Sequence, residues 1–317
     1  MCDPELIIGC DQPKLISRKK RNFQIIKMAM AVNSRNIQAE LEKLTSIPAM
    51  PELAQRIVAL GPHPEVRKLV AIVELDPGLA GQMVRQATSP FFGYRGRVKS
   101  VNDAITRVLG VEPALHLAFG VIAGKAMRSP VDGPVGRKAV WLHGAYSAAL
   151  MQTMAEGLPK PGRALPGMCY LGGLMHNIGL LLLGHLFPSD LHALNKAVQE
   201  CPTVPLTELE QRLFMTDHTE IGAWLMRKWN MPEEVITAVQ KHHDESYRGE
   251  NAVYANLALL ADRLLQRLGK GDAGSEELPA EMLADLGLQE TDLMDAVQRL
   301  LESRSDLDSL ATHMGAA

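Results

Sequence analysis

Aromatic side chains make up only 4% of this 317-residue chain, so its interior cannot be built around Phe, Tyr and Trp. Hydrophobic residues still reach 46%, including 16 Met, which leaves Leu, Ala, Val, Ile and Met to fill the core. Most of these favour helices, and so high an apolar content excludes disorder over the whole chain. An excess of one charge is also missing: 33 Lys and Arg stand against 36 Asp and Glu, a net of −3. A surface that neutralises a nucleic-acid backbone shows a basic excess, so nucleic acid is not an expected partner. The one basic run, Arg18-Lys19-Lys20-Arg21, reads as a solvated stretch of an N-terminal extension.

The four cysteines, Cys2, Cys10, Cys169 and Cys201, form no CxxC pair, which excludes a zinc knuckle and a disulfide framework. Reduced thiols in a cytoplasmic protein are expected instead. The segment Ile7-Ile8-Gly9-Cys10 has the outline of a lipoprotein cleavage site. It lacks a basic start and an apolar stretch, and Asp3 and Glu5 stand where positive charge belongs. The most apolar window, Leu165 to Phe187, is as long as a membrane span. Gly, Pro and the polar His176, Asn177 and His185 interrupt it, so a buried core helix is expected and a membrane is not.

Helical periodicity is what the chain has in abundance. Residues 1–33 lack it and read as an extension. From Asn36 onward Ile37, Leu41 and Leu44 repeat at helical spacing, and similar stripes follow through Leu53–Leu60, Val66–Val73 and Leu79–Val84. Asp76-Pro77 and Ser100 are helix-start signals, and Gly110 a stop. Helices are expected at about 114–127, 135–157, 167–185, 189–200, 206–217, 218–229, 232–243, 252–268, 279–286 and 290–302. Thr207 with Glu210 has the spacing of a capping box. The turn-rich stretch 129–134 divides an N-terminal helical half, 34–132, from a second half, 133–268; 275–317 forms a C-terminal helical segment. No strand and no repeat is evident, so the fold class is all-α.

The chemistry-bearing residues are histidines. Around His176, Gly172, Gly173 and Gly179 lie at i−4, i−3 and i+3, a face of small residues that suits close helix packing or a ligand. His242-His243 is an adjacent pair at a helix end; successive helical residues point about 100° apart, so both cannot serve one metal without a bend. His143 and His218 are uninformative singly. The stretch from Val101 to Met127 has a helix-turn-helix outline but few basic groups, which argues against reading bases.

Taken in order, His143, His176-Asn177, His218, His242-His243 and Asp262 resemble the ligand succession of HD-GYP and HDOD proteins, descendants of the HD metal-dependent phosphohydrolases. Leu174-Met-His-Asn-Ile-Gly-Leu180 resembles their His-Asp-Ile-Gly-Lys segment, and Asp217-His-Thr-Glu-Ile-Gly, followed by Lys241-His-His-Asp244, an HDOD stretch. Asp76-Pro-Gly-Leu-Ala80, Ala87-Thr-Ser-Pro90 and Val101-Asn-Asp-Ala-Ile105 extend the likeness over about residues 40–265. The resemblance implies a multi-helix HD-type bundle with an N-terminal helical subdomain, and a cleft formed by those seven residues. This chain departs from the pattern at two points. Asn177 stands in place of an Asp that can bridge two ions, and an amide offers one acceptor oxygen and no charge. Leu180 replaces a Lys suited to phosphate, and the Gly-Tyr-Pro signature is missing. The expectation is a bacterial signalling module without catalysis, acting through contacts with other signalling proteins, with no cofactor or at most one divalent ion. The alternative is a metal-dependent phosphohydrolase acting on a nucleotide or phosphoester. The loop from Phe91 to Arg97 and the helix bearing Trp224 and Trp229 are the expected contact elements. The histidines themselves have two accounts, as partners in a polar cavity or as holders of one metal or anion.

Overall fold

A computed structural model describes residues 35–315, apart from 45–47, 62–63, 90–91, 160–163 and 272–273. The extension at 1–33, with Cys2, Cys10 and the basic run, lies outside the described residues, as does Phe91. Among the described residues the structure is all helix and turn, with no strand. In chain order the helices are α1 (Ile37–Glu42), α2 (Glu52–Val58), α3 (Val66–Val73), α4 (Pro77–Ala87) and α5 (Val101–Ala104), which opens into a wide π turn over Ile105–Leu109. Then come α6 (Val111–Lys125), α7 (Arg137–Glu156), α8 (Pro166–Met175), α9 (Ile178–Leu186), α10 (Pro188–Glu200) and α11 (Leu206–Phe214). The last are α12 (His218–Lys228), α13 (Glu233–Lys241), α14 (Ala252–Arg267), α15 (Ala280–Leu286), α16 (Glu290–Glu302) and α17 (Arg304–Gly315).

The start signals act locally. The Asp76 carboxylate accepts from the Leu79 amide at 3.0 Å and pairs with the Lys125 ammonium at 2.5 Å, tying α4 to the end of α6. Ser100 accepts from the Asp103 amide, and Gly110 takes the left-handed conformation (φ 79°) that lets α6 begin at once after the π turn. Helix α6 is buried on every side from Ala114 to Gly124, the mark of a helix surrounded by others. Gly124 is what admits Trp141: a Cβ there would lie 2.5 Å from the indole.

Two buried clusters hold the molecule. The larger draws on α1 through α13 and on α17, and it runs across residue 133 without a break. The second gathers α7, α14, α15 and α16. Helix α7 belongs to both: Trp141, Ala145 and Ala148 face one cluster, Tyr146, Ala149 and Leu150 the other. It packs most extensively on α8 and α17, while α9 packs on α12 and α13 on α14.

Some sequence expectations need correction. The helix expected over 167–185 is two, α8 and α9, broken at His176-Asn177. Pro166–Leu186 is long and apolar enough to cross a membrane, with mean hydropathy 1.3, yet 94% of its most apolar window is buried within the fold. Thr207 and Glu210 form no capping box: Pro205 precedes α11, and Glu210 turns inward, fully buried. Trp229 is no contact surface, because it is buried and its indole donates to the Pro48 carbonyl at 3.1 Å. Helix α17 has no counterpart in the sequence reading, which took 275–317 as two helices.

His116 on α6 gives the fold a pH dependence. It is buried, its Nδ1 has no hydrogen-bond partner among the described residues, and burial pushes its pKa down to about 4. Between pH 6.5 and 4 the unfolded chain takes a proton that the folded chain refuses, so stability falls as pH falls through that window. At pH 4.5 this one group removes roughly 2.5 kcal/mol relative to pH 8. Urea denaturation of wild type and His116→Met at both pH values checks this. The variant should lose that much less stability on acidification, and parallel losses would defeat the assignment.

Candidate metal centre

The break between α8 and α9 builds the site. The last turn of α8 leaves the Gly173 carbonyl open, and the His176 Nδ1–H donates to it at 2.7 Å. The same device recurs at the end of α13, where the His242 Nδ1–H donates to the Val239 carbonyl at 2.9 Å. On α7, His143 donates from Nδ1 to the Lys270 carbonyl, also at 2.9 Å. His218, first residue of α12, has its Nδ1 on the Glu210 carboxylate at 2.7 Å. Each ring thus has one edge fixed by an acceptor, which sets the tautomer and turns Nε2 inward.

The inward edges converge. His143 Nε2 lies 3.0 Å from His176 Nε2 and 2.8 Å from Asp262 Oδ1, and His218 Nε2 lies 3.3 Å from His242 Nε2. His176 Nε2 is 3.4 Å from the same Asp262 oxygen. With their Nδ1 edges committed, His143 and His176, and likewise His218 and His242, bring Nε2 edges to within hydrogen-bonding distance of each other. Such an arrangement calls for a cation between them. Burial would push the Asp262 carboxyl up, but His176 and His143 hold it well below the usual carboxylate range. Burial, with His243 and His176 nearby, pushes His242 well below the ordinary imidazole range, so it stays neutral. Burial drives Glu210 up despite its bond to His218.

The donors sort into two adjoining trios, His143–His176–Asp262 and His218–His242–His243, each with ligand atoms within 4.8 Å of one another. The His176 and His242 rings, 4.9 Å between centroids, join them. The adjacent pair serves a single trio because α13 ends at Lys241; beyond it the two rings come within 4.1 Å of each other. Asn177 is buried and lines a cavity beside His143 together with Leu180. The residues present therefore fit a divalent ion: two imidazole nitrogens and one carboxylate in the first trio, three imidazoles in the second. Asp262 is the one carboxylate in either trio among the described residues.

The glycines hold the helices together. A Cβ on Gly173 would lie 2.7 Å from the Ala148 backbone of α7, and one on Gly179 would lie 2.0 Å from the His218 carbonyl oxygen. They are contacts between backbones, not ligand space. Glu210 is the residue the sequence reading missed; its spacing suggested a cap, and nothing local shows that α11 brings it under His218.

Comparison with known proteins places the fold. The HDOD domain model matches residues 47–245. The chain belongs to the HDOD family. A Marinobacter aquaeolei VT8 structure, described as a candidate signal transduction protein, superposes with TM-score 0.75 at 31% identity, covering 92% of this chain and 65% of its own. One from Shewanella amazonensis SB2B, described as a candidate phosphohydrolase, superposes with TM-score 0.66 at 19% identity over 89% of this chain and 99% of its own, a likeness of fold. An uncharacterized Treponema pallidum (strain Nichols) protein is 26% identical over 281 residues, 85% of this chain and 52% of that one. The chain thus spans about half the length of that curated relative. Asp262 and Lys270 lie beyond the 47–245 match to HDOD.

Proposed function

We propose that this HDOD protein is a cytoplasmic signal-transduction module that holds one divalent ion as an internal staple, hydrolyses nothing, and acts through contacts with other signalling proteins. The observation that carries the reading is the cavity wall beside His143, where Asn177 and Leu180 stand. An ion bound at His143, His176 and Asp262 would supply the positive charge that the facing Nε2 edges require. A second ion close by would need further negative ligands to offset repulsion between the cations. Asn177 offers none, and Leu180 presents an isobutyl group where a cation would grip phosphate. His218, His242 and Glu210 then brace α11, α12 and α13 around the staple.

The second trio of imidazoles favours one competing reading, a phosphohydrolase with two ions. Asn177→Asp separates them. If the ligands are placed as described, the added carboxylate raises affinity for Mn²⁺ at least tenfold and brings the stoichiometry from one ion per chain to two, read by calorimetry and elemental analysis. No change in affinity would mean that the cleft is not a metal site. Two ions in the unaltered protein, with turnover of a phosphodiester, would establish the phosphohydrolase instead.

A further inference from the structure

The cavity beside the first trio has a volume of about 400 Å³, within the range of small-ligand pockets. Val140, Leu142 and Leu180 give it apolar walls, and His143, Asn177 and Lys270 gather at its polar parts. We propose that Lys270 makes this cavity a receptor for the phosphate head of a small organic phosphate, bound without being hydrolysed. The absence of hydrolysis rests on the single-ion reading above; the subsite itself rests on Lys270.

The two ends of Lys270 do different things. Its carbonyl accepts from His143 and so belongs to the metal centre. Its ammonium lies 4.9 Å from the centroid of the Tyr146 ring, another wall of the same cavity, a cation–π contact that holds charge at an apolar surface. Tyr146 is fixed in turn, since its hydroxyl donates to Asp308 of α17 at 2.8 Å. The ammonium makes no ion pair with a carboxylate among the described residues. A half-buried ammonium with three donors, set against the Tyr146 wall of a cavity, can form charge-assisted hydrogen bonds to an anion there. Leu180 leaves the α9 wall of the cavity uncharged, and Lys270 brings a cation to it from the loop after α14. An ion held by His143 would add positive charge on the same side, which favours a phosphate dianion over a carboxylate. The apolar walls suit an organic body attached to that head.

The test uses the full chain loaded with Mn²⁺, titrated calorimetrically with phenyl phosphate, inorganic phosphate and benzoate. Phenyl phosphate should bind once per chain, more tightly than either other probe, and be recovered intact. Lys270→Met should weaken it at least tenfold while metal content and Tm stay at the wild-type level, because the backbone carbonyl under His143 is retained. Ala139→Phe, at a half-exposed wall position of α7, should exclude phenyl phosphate and spare inorganic phosphate. Unchanged affinity in Lys270→Met, tighter binding of benzoate, or no binding in the millimolar range would overturn the subsite even with one metal ion in place. Lys270-dependent binding that survives chelation would uphold the subsite while removing the staple, and release of phenol would overturn the claim that the ester is held intact.

Discussion

Asp262→Asn is expected to weaken divalent-metal binding at least a hundredfold and to abolish metal-dependent thermal stabilisation. Asp262 is 1% exposed, and its Oδ1 faces both His143 and His176. It is the only carboxylate among the members of either trio within the described residues. Loss of a group that merely orients a ligand costs about 10–100-fold in metal affinity, so loss of the charged ligand itself should reach or pass the top of that range. The substitution is nearly isosteric, and its amide can donate to the His143 and His176 Nε2 edges, so the metal-free chain should still fold. Saturation at about a hundred times Kd adds about 2.7 kcal/mol to the wild-type protein. Thermal unfolding with and without Mn²⁺ or Zn²⁺, alongside calorimetry, reads both effects. A variant that bound metal within threefold of wild type would show that the converging imidazoles hold no ion through this carboxylate.

Gly179→Ala should cost about 3 kcal/mol of folding stability, the upper end of what overpacking a core costs. The added Cβ would lie 2.0 Å from the His218 carbonyl oxygen, 2.8 Å from its carbon and 2.9 Å from the Gly222 amide nitrogen. All three are backbone atoms, so no side chain can swing aside, and α9 and α12 must move apart. That motion carries His218 away from His242, and metal affinity should fall with stability. Gly157→Ala is the control: it sits at the end of α7 with φ −83°, and its nearest contacts are ordinary at 3.6 Å. Urea unfolding that placed Gly179→Ala within 1 kcal/mol of wild type would show that the two helices do not depend on backbone contact.

Helix starts were legible because capping is local. Asp76, Ser100 and Asn36 each bond an amide three residues on, within reach of the sequence that encodes them. The break at His176-Asn177 was not legible, since apolar residues continue on both sides, while in the fold α9 leaves α8 to pack against α12. Glu210 misled for the same reason: four residues of sequence allow a cap, while its real partner, His218, lies beyond the end of α11. Helix α17 escaped because its apolar face is short, and it is secured by distant groups, Tyr146 and Arg137 on α7.

From its residues alone, the chain determined an all-α fold, a core of aliphatic side chains, and an amide and an isobutyl group at positions 177 and 180. These follow from composition, from period and from which atoms a side chain carries. Tertiary structure alone decided that four imidazoles meet edge to edge, that Asp262 and Glu210 serve them from different helices, and that Lys270 reaches the cavity Leu180 left without charge. The cause is distance along the chain: the cluster joins residues as far as 119 positions apart, and only helices packed backbone to backbone through glycine fix where their side chains end.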